Sequence, residues 1–183
     1  PEGFARTVGA RVPDGRIVTA FTCASCHASQ AEPGGPIIAG RNDPDLVIDP
    51  VWGPGRVDVT DDGVDDPIAI PDLRGVRLQA NLHHAGTWRN GLVPLAVRIE
   101  TLLITNLGSA VRPPRKVAAA LARYLHSLSP PAKPPPSAVF ERECSRCHSA
   151  SGETGPAVAL EVIGTDPRVG RSAERGTGRY RVP

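Results

Sequence analysis

The chain is expected to be mainly α-helical, in two units wrapped by long loops, with the second unit incomplete. The first observation behind this is a five-residue pattern, Cys23-Ala24-Ser25-Cys26-His27, that returns as Cys144-Ser145-Arg146-Cys147-His148. The second is Ser129-Pro130-Pro131-Ala132-Lys133-Pro134-Pro135-Pro136, a stiff, extended stretch between the halves. The third is apolar spacing of helical period on either side of it. Residues 1–128 are therefore read as one domain, 129–137 as a linker and 138–183 as the N-terminal part of a second domain.

Taken in order, Ile17, Val18 and Phe21 recur at helical spacing between Arg16 and Cys26, with Asp14 or Gly15 as the cap. Ala28 to Trp52 is punctuated by Pro33-Gly34-Gly35-Pro36, Gly40, Asp43-Pro44 and Asp49-Pro50 and reads as loop. A loop of that length is uncommon unless it binds something. From Leu92 to Leu107, Leu95, Ile99, Leu102 and Leu103 share one helical face. A second amphipathic helix, Val117 to Leu128, opens after Pro113-Pro114 and closes before the proline-rich stretch. Ser137 caps a third helix, Ala138 to Cys147, and Gly152, Gly155 and Pro156 follow it as loop.

Composition narrows the functional classes. The 183 residues carry a formal net charge of +2, so no nucleic acid or other polyanion is implied as a partner. Aromatic content is 4% against 40% hydrophobic, so a protein core is mostly aliphatic. With 19 glycines and 20 prolines, the chain suits wrapping round a bulky group better than a free-standing bundle. No apolar run is long enough to cross a bilayer.

The repeated pattern supplies that group. Two thiols three residues apart lie on one helical face and can both bond the vinyl edge of one porphyrin, while the adjoining histidine reaches the iron. This is the spacing of c-type haem attachment. A zinc site would need its two thiol pairs to meet in space, and such pairs usually lie about 15–20 residues apart. A redox dithiol of thioredoxin type is single and sits between a strand and a helix. All four cysteines fall inside the two patterns, and each pattern carries its histidine. Two covalently bound haem c groups are expected, on Cys23 and Cys26 and on Cys144 and Cys147, with His27 and His148 as proximal iron ligands. The two units are accordingly read as cytochrome c-type domains. Because haem c is attached outside the cytoplasm, a periplasmic or other extracytoplasmic location follows. Pro1-Glu2-Gly3-Phe4 has neither a basic start nor an apolar core, so a secretory signal is expected to have been removed.

Asp58-Val59-Thr60-Asp61-Asp62-Gly63 resembles the opening of a calcium loop, but Ala69 stands where its closing glutamate would be. A solvated acidic turn is favoured over Ca2+, and the cluster could equally steer a basic redox partner.

The two halves also repeat an order of parts: helix, haem pattern, glycine-rich loop, then an aliphatic residue with proline. Ile70-Pro71 answers to Val182-Pro183. After Pro71 the first half runs on to Leu128, whereas nothing follows Pro183, hence the expectation of an incomplete second unit.

Ile70-Pro71-Asp72-Leu73-Arg74-Gly75-Val76, with Leu82-His83-His84-Ala85-Gly86 and Trp88, resembles a segment of the bacterial di-haem cytochrome c peroxidase and methylamine-dehydrogenase maturation family. That segment runs T-P-x-L-R-N-V followed by P-Y-x-H-D-G. His84 falls on the family histidine, and Arg179 to Pro183 resembles the start of the same pattern. The resemblance implies two c-type haems and either electron transfer or peroxide reduction. It also implies a sixth iron ligand that is often methionine, a residue this chain lacks.

His83, His84 and His126 are then the histidines left for the far side of the first iron. His126 reads as exposed on its helix. His83 and His84 are adjacent, so their side chains diverge and one of the two can reach the iron. If His84 keeps a family-like place beside the haem edge, His83 is the spare ligand. The alternative is that both are hydrogen-bonded in a loop. Electron transfer between periplasmic redox partners, alone or within a larger membrane-bound assembly, is favoured. The other reading is a peroxidase-like oxidoreductase acting on hydrogen peroxide, which would need an acid or base over an open iron. Glu100 and Glu32 are the nearest candidates by sequence, and neither belongs to a recognisable motif.

Overall fold

β1 (Thr7–Arg11) and β2 (Ile17–Phe21) open the computed structural model as an antiparallel hairpin with Thr7 opposite Phe21 and Arg11 opposite Ile17. The residues described are 7–11, 14–58, 63–105, 112–133 and 135–182. The stretch expected to start a helix is thus a strand. Ile17, Val18, Thr19 and Phe21 are β-branched or aromatic and fit a pleated surface better than a helix. Asp14 does not cap a helix: its carboxylate accepts the Arg16 N–H at 3.0 Å, and Gly15 takes φ 85° to turn the chain.

The first cysteine pattern is a single helical turn, α1 (Cys23–His27), entered through Thr22, whose N–H donates to Ser25 Oγ at 3.2 Å. β3 (Ala28–Gln30) follows at once and pairs antiparallel with β4 (Ile37–Ala39), so the expected loop holds a short hairpin. β5 (Arg56–Val57) pairs with β6 (Ile68–Ala69), and β7 (Asn81–Leu82) with β8 (Trp88–Arg89). Two longer helices come next, α2 (Leu92–Thr105) and α3 (Arg115–Ser127), close to the spans that apolar spacing marks. A π-helical turn, Phe140–Cys144, leads into the second pattern. The last elements are β9 (Val158–Ala159), α4 (Leu160–Ile163), α5 (Arg168–Arg171) and β10 (Arg179–Tyr180), with β10 antiparallel to β9.

Helix makes up 31% of the structure and strand 16%. The expected mainly α pair of cytochrome c-type domains is therefore not the architecture observed. Glycine and proline interrupt the chain too often outside α2 and α3 for helices to propagate, since each helix must first offset a costly nucleus. Short two-stranded hairpins fill the intervals instead.

The larger core is built by α2, α3 and the segment before them. Val76, Leu82, Leu95 and Ala122 are buried together, with Ala96, Ile99 and Leu125 packed against them. Ala118 and Ala122, one turn apart on α3, are small enough to let α2 approach closely. Asn90 fastens the start of α2 to the turn before it: its Nδ2 donates to Val76 O at 2.6 Å and Gln79 O at 2.7 Å. The second core is smaller and shared. Ala85, from between β7 and β8, is buried with Leu160 and Tyr180, and Ile163 and Val169 pack against them. Hydrogen bonds reinforce that junction. Thr154 N–H donates to Leu78 O at 3.1 Å and its Oγ1 accepts the Ala80 N–H at 2.8 Å. Thr177 Oγ1 donates to Ala85 O at 2.6 Å, and Arg181 N–H to His84 O at 2.9 Å.

Candidate functional site

At the first pattern, Cys23 is exposed and Cys26 half-buried, and neither is in a disulfide. The imidazole of His27 is fixed by Pro71, whose carbonyl oxygen lies 3.1 Å from Nδ1. A carbonyl can only accept, so Nδ1 carries the proton and Nε2 is left with its lone pair. Burial, the largest influence, pushes the His27 pKa below its ordinary value, so the ring is neutral, as a metal ligand must be. A ring nitrogen held by a backbone carbonyl is the arrangement that orients a metal-binding histidine and raises its basicity.

Several backbone bonds bring Pro71 to that place. Gly40 N–H donates to His27 O at 2.8 Å, and Leu73 N–H to Gly40 O at 2.8 Å. Ile70 N–H donates to Gly55 O at 2.9 Å, tying the end of the β5–β6 hairpin back to the loop. Asp43 N–H donates to Cys26 O at 3.1 Å, and buried Ser29 donates to Asn42 O at 2.6 Å. Gly40 is required here: its φ is 80°, and an added Cβ would lie 2.6 Å from Leu128 Cδ1. In the sequence Pro71 marks a repeat; its role as the partner of His27 emerges only in the fold.

The second pattern rides on the turn that Ser137 caps, its Oγ accepting the Phe140 N–H at 3.1 Å as expected. Cys147 N–H and His148 N–H both donate to Cys144 O, at 3.1 and 2.9 Å, so the two thiols sit one turn apart. Cys147 and His148 line a cavity of about 380 Å³ together with His84, Ile163, Tyr180 and Arg181. That volume is within the roughly 300–1,000 Å³ of cofactor pockets. His84 stacks on Tyr180 with ring centroids 4.2 Å apart. Tyr180 is itself held rigid, its hydroxyl donating to Asp166 O at 2.6 Å and accepting the Gly170 N–H at 2.9 Å. The sequence does not single out Tyr180 as a site residue.

The adjacent histidines diverge. The sequence ties the pair to the first pattern, whereas in the structure His84 faces the cavity of the second. His83 turns inward beside Trp88, with ring centroids 6.4 Å apart. Its φ is 65°, a left-handed value that costs energy in a non-glycine residue, within a turn closed by Gly86 N–H donating to His83 O at 3.2 Å. Both of its ring nitrogens are buried without a hydrogen-bond partner. Burial, reinforced by the charges of Arg98, Arg175 and Arg181, lowers its pKa from 6.5 to about 4.

The unfolded chain therefore binds a proton at His83 that the folded chain rejects. Stability is full above pH 6.5 and declines as pH falls toward about 4. His83→Asn tolerates the left-handed backbone and does not titrate. It is expected to flatten the melting-temperature profile across that interval, measured by circular dichroism.

The remaining sequence candidates fall elsewhere. Glu100 is buried on α2, where both of its oxygens accept from the Arg112 guanidinium, which holds its carboxyl below the usual range. Glu32 is exposed. His126, expected to be exposed, is half-buried, with Nε2 enclosed. Residues 59–62 of the acidic run lie outside the described residues. Of its neighbours, Asp58 Oδ2 accepts the Asp66 N–H at 3.0 Å and Asp65 accepts the Trp52 Nε1–H. Among the described residues no group of three or more histidine, cysteine or acidic side chains is gathered to hold a metal ion, and no helix is long and apolar enough to cross a membrane.

Comparison with protein-family models, curated proteins and solved structures finds no match. The functional reading therefore rests on the geometry of the two cysteine patterns. Both fit a covalently held haem: each offers two thiols and a histidine on one turn. The first adds a tautomer fixed by Pro71, and the second a cavity walled by an aromatic pair.

Proposed function

We propose that this chain is a di-haem electron carrier of the extracytoplasmic space, passing electrons between redox protein partners, alone or as a subunit of a larger membrane-bound assembly. The observation that carries the reading is the His27 imidazole, half-buried, neutral and bonded through Nδ1 to Pro71, on the same helical turn as the Cys23 and Cys26 thiols. Cys23 and Cys26 would form the thioether bonds of one haem and Cys144 and Cys147 those of the other, with His27 and His148 as iron ligands through Nε2. Iron so held supplies one-electron redox chemistry.

The protein's own contribution is orientation. Pro71 keeps Nε2 of His27 unprotonated, and Tyr180 holds His84 at the second cavity, where it would be a candidate to help hold that haem. His83, whose two ring nitrogens are buried, is the other candidate ligand. The likeness of residues 70–88 to the di-haem peroxidase and methylamine-dehydrogenase maturation family adds weight to two haems. Electron transfer is preferred over peroxide reduction because Glu100 is committed to Arg112 and Glu32 is exposed, so neither is set up to shuttle protons.

The test is a pyridine haemochrome assay combined with optical redox titration of the full chain made in a host that attaches haem c. Two covalent haems with low-spin spectra and reversible one-electron steps are expected. Rapid peroxide turnover with a reduced donor would reject the electron-carrier reading, and no covalent haem would reject both readings.

A further inference from the structure

A closed loop seated on the first cysteine pattern turns aliphatic side chains toward solvent. At its base Asp43 N–H donates to Cys26 O at 3.1 Å, and Gly55 N–H donates to Leu46 O at 2.8 Å to shut it. Gly55 takes φ 66°, and an added Cβ would lie 2.8 Å from Pro44 O, so the closure has no room for a side chain there. Inside the loop, Trp52 N–H donates to Asp49 O at 3.1 Å and Val51 N–H to Asp49 Oδ1 at 2.8 Å. At the tip so fixed, Val51 is 84% exposed, Val47 53% and Ile48 38%. The Trp52 indole N–H donates to the Asp65 carboxylate, which brings exposed Val64 to the same place. The surroundings are acidic: between Arg41 and Asp72 the sequence holds nine aspartates and two arginines, although the whole chain is +2. Asp45, Asp49 and Asp65 take part in no ion pair among the described residues. Arg168, the cation that reaches Asp65, donates to its backbone oxygen at 3.2 Å and is paired with Asp166.

An apolar centre ringed by charge of one sign is the anatomy of a transient protein interface: apolar contact holds the partner, and charge gathers and selects it. We infer that Val47, Ile48, Val51 and Val64, with Asp45, Asp49 and Asp65 around them, form the docking surface for a basic redox protein. The aspartates set the sign of the partner's charge, and the bond from Asp43 to Cys26 sets its place, beside the first pattern. Weak redox encounters bury less than about 1,200 Å², which a few exposed aliphatics suit better than a large apolar face would. That the partner carries a redox centre rests on the proposed electron-carrier function; that it is cationic does not.

The experiment uses the full haem-loaded chain with a lysine-rich mitochondrial cytochrome c as the basic probe and an acidic ferredoxin as its opposite. Calorimetry at low salt measures binding, and stopped-flow absorbance measures the second-order rate of electron transfer against ionic strength. Haemochrome content is recorded alongside: a chain without haem fails the proposed function, while calorimetry still reads the surface. The basic probe is expected to bind and the acidic one not, with a rate falling about tenfold or more between about 10 and 200 mM salt. Asp45→Asn combined with Asp49→Asn keeps the amide oxygen that Val51 N–H needs, and should bind and react about threefold or more weaker at low salt, converging on the parent at high salt. Val47→Ser combined with Val51→Ser should be weaker at every ionic strength with an unchanged salt slope. Glu161→Gln, on α4, removes a charge elsewhere and serves as the control. Melting temperatures should match across the set, since the changed side chains are at the surface. The inference is overturned if either double variant stays within twofold of Glu161→Gln, or if the acidic probe binds as well as the basic one. A parent dimer that Val47→Ser with Val51→Ser dissolves would assign the patch to a second copy of the chain and overturn it too.

Discussion

Cys144→Ala combined with Cys147→Ala is expected to leave one covalent haem per chain in place of two, and Cys23→Ala combined with Cys26→Ala to remove the other. Haemochrome absorbance per polypeptide measures both. Each pattern has its own thiol pair and histidine on one helical turn, so neither can substitute for the other. The side effects should differ. Cys147 and His148 are exposed at the second pattern, and among the described residues the main apolar core is built from residues between Val76 and Leu125. The second double variant should keep the melting transition of that core. The first pattern is enclosed by a loop that returns to it through Gly40, Asp43 and Pro71, so its double variant should melt earlier as well as lose haem. Equal loss of haem from both sites in either variant would contradict independent attachment.

Leu95→Ala should be the most damaging single substitution in the core. Leu95 is 6% exposed and meets Val76, Leu82 and Ala122, so truncation removes the apolar contact that joins α2 to α3 and to the turn before them. Large-to-small changes of this kind cost about 2–5 kcal/mol. Small domains are typically stable by roughly 5–15 kcal/mol, so much of the reserve would be spent. Chemical denaturation should show a lower midpoint with a similar slope. A change of less than about 0.5 kcal/mol would mean that the helix pair is not the stabilising unit described.

The parts of this fold legible in the sequence are those decided locally. Leu95 and Ile99, and Ala118, Ala122 and Leu125, carry a 3.6-residue period long enough to exclude a strand, and α2 and α3 form where that period lies. Ile17, Val18 and Phe21 satisfy a helix and a strand alike. The arbiter is Asp14-Gly15, a dipeptide that suits a hairpin reversal as well as a helix cap. The thiols and histidines of both patterns are legible because the proposed haem attachment demands that spacing. What surrounds them is not, because it comes from far along the chain. Pro71 lies 44 residues from His27. His84 reaches the second cavity only because Thr154, Thr177 and Arg181 dock the later segment onto the stretch around it. No periodicity encodes such pairings, and the proline-rich stretch that looks like a divider in the sequence conceals them.

Ala85 belongs to the small cluster with Leu160 and Tyr180, whereas among the described residues the α2–α3 core cluster lies between Val76 and Leu125. The two halves meet through that small cluster and through the hydrogen bonds of Thr154, Thr177 and Arg181. On the ribosome, the earlier segment can consolidate while the later one is still being made, and the later one then condenses on a ready template. The cavity beside the second thiol pair, walled in part by His84, thus takes shape only once the β7–β8 turn is set.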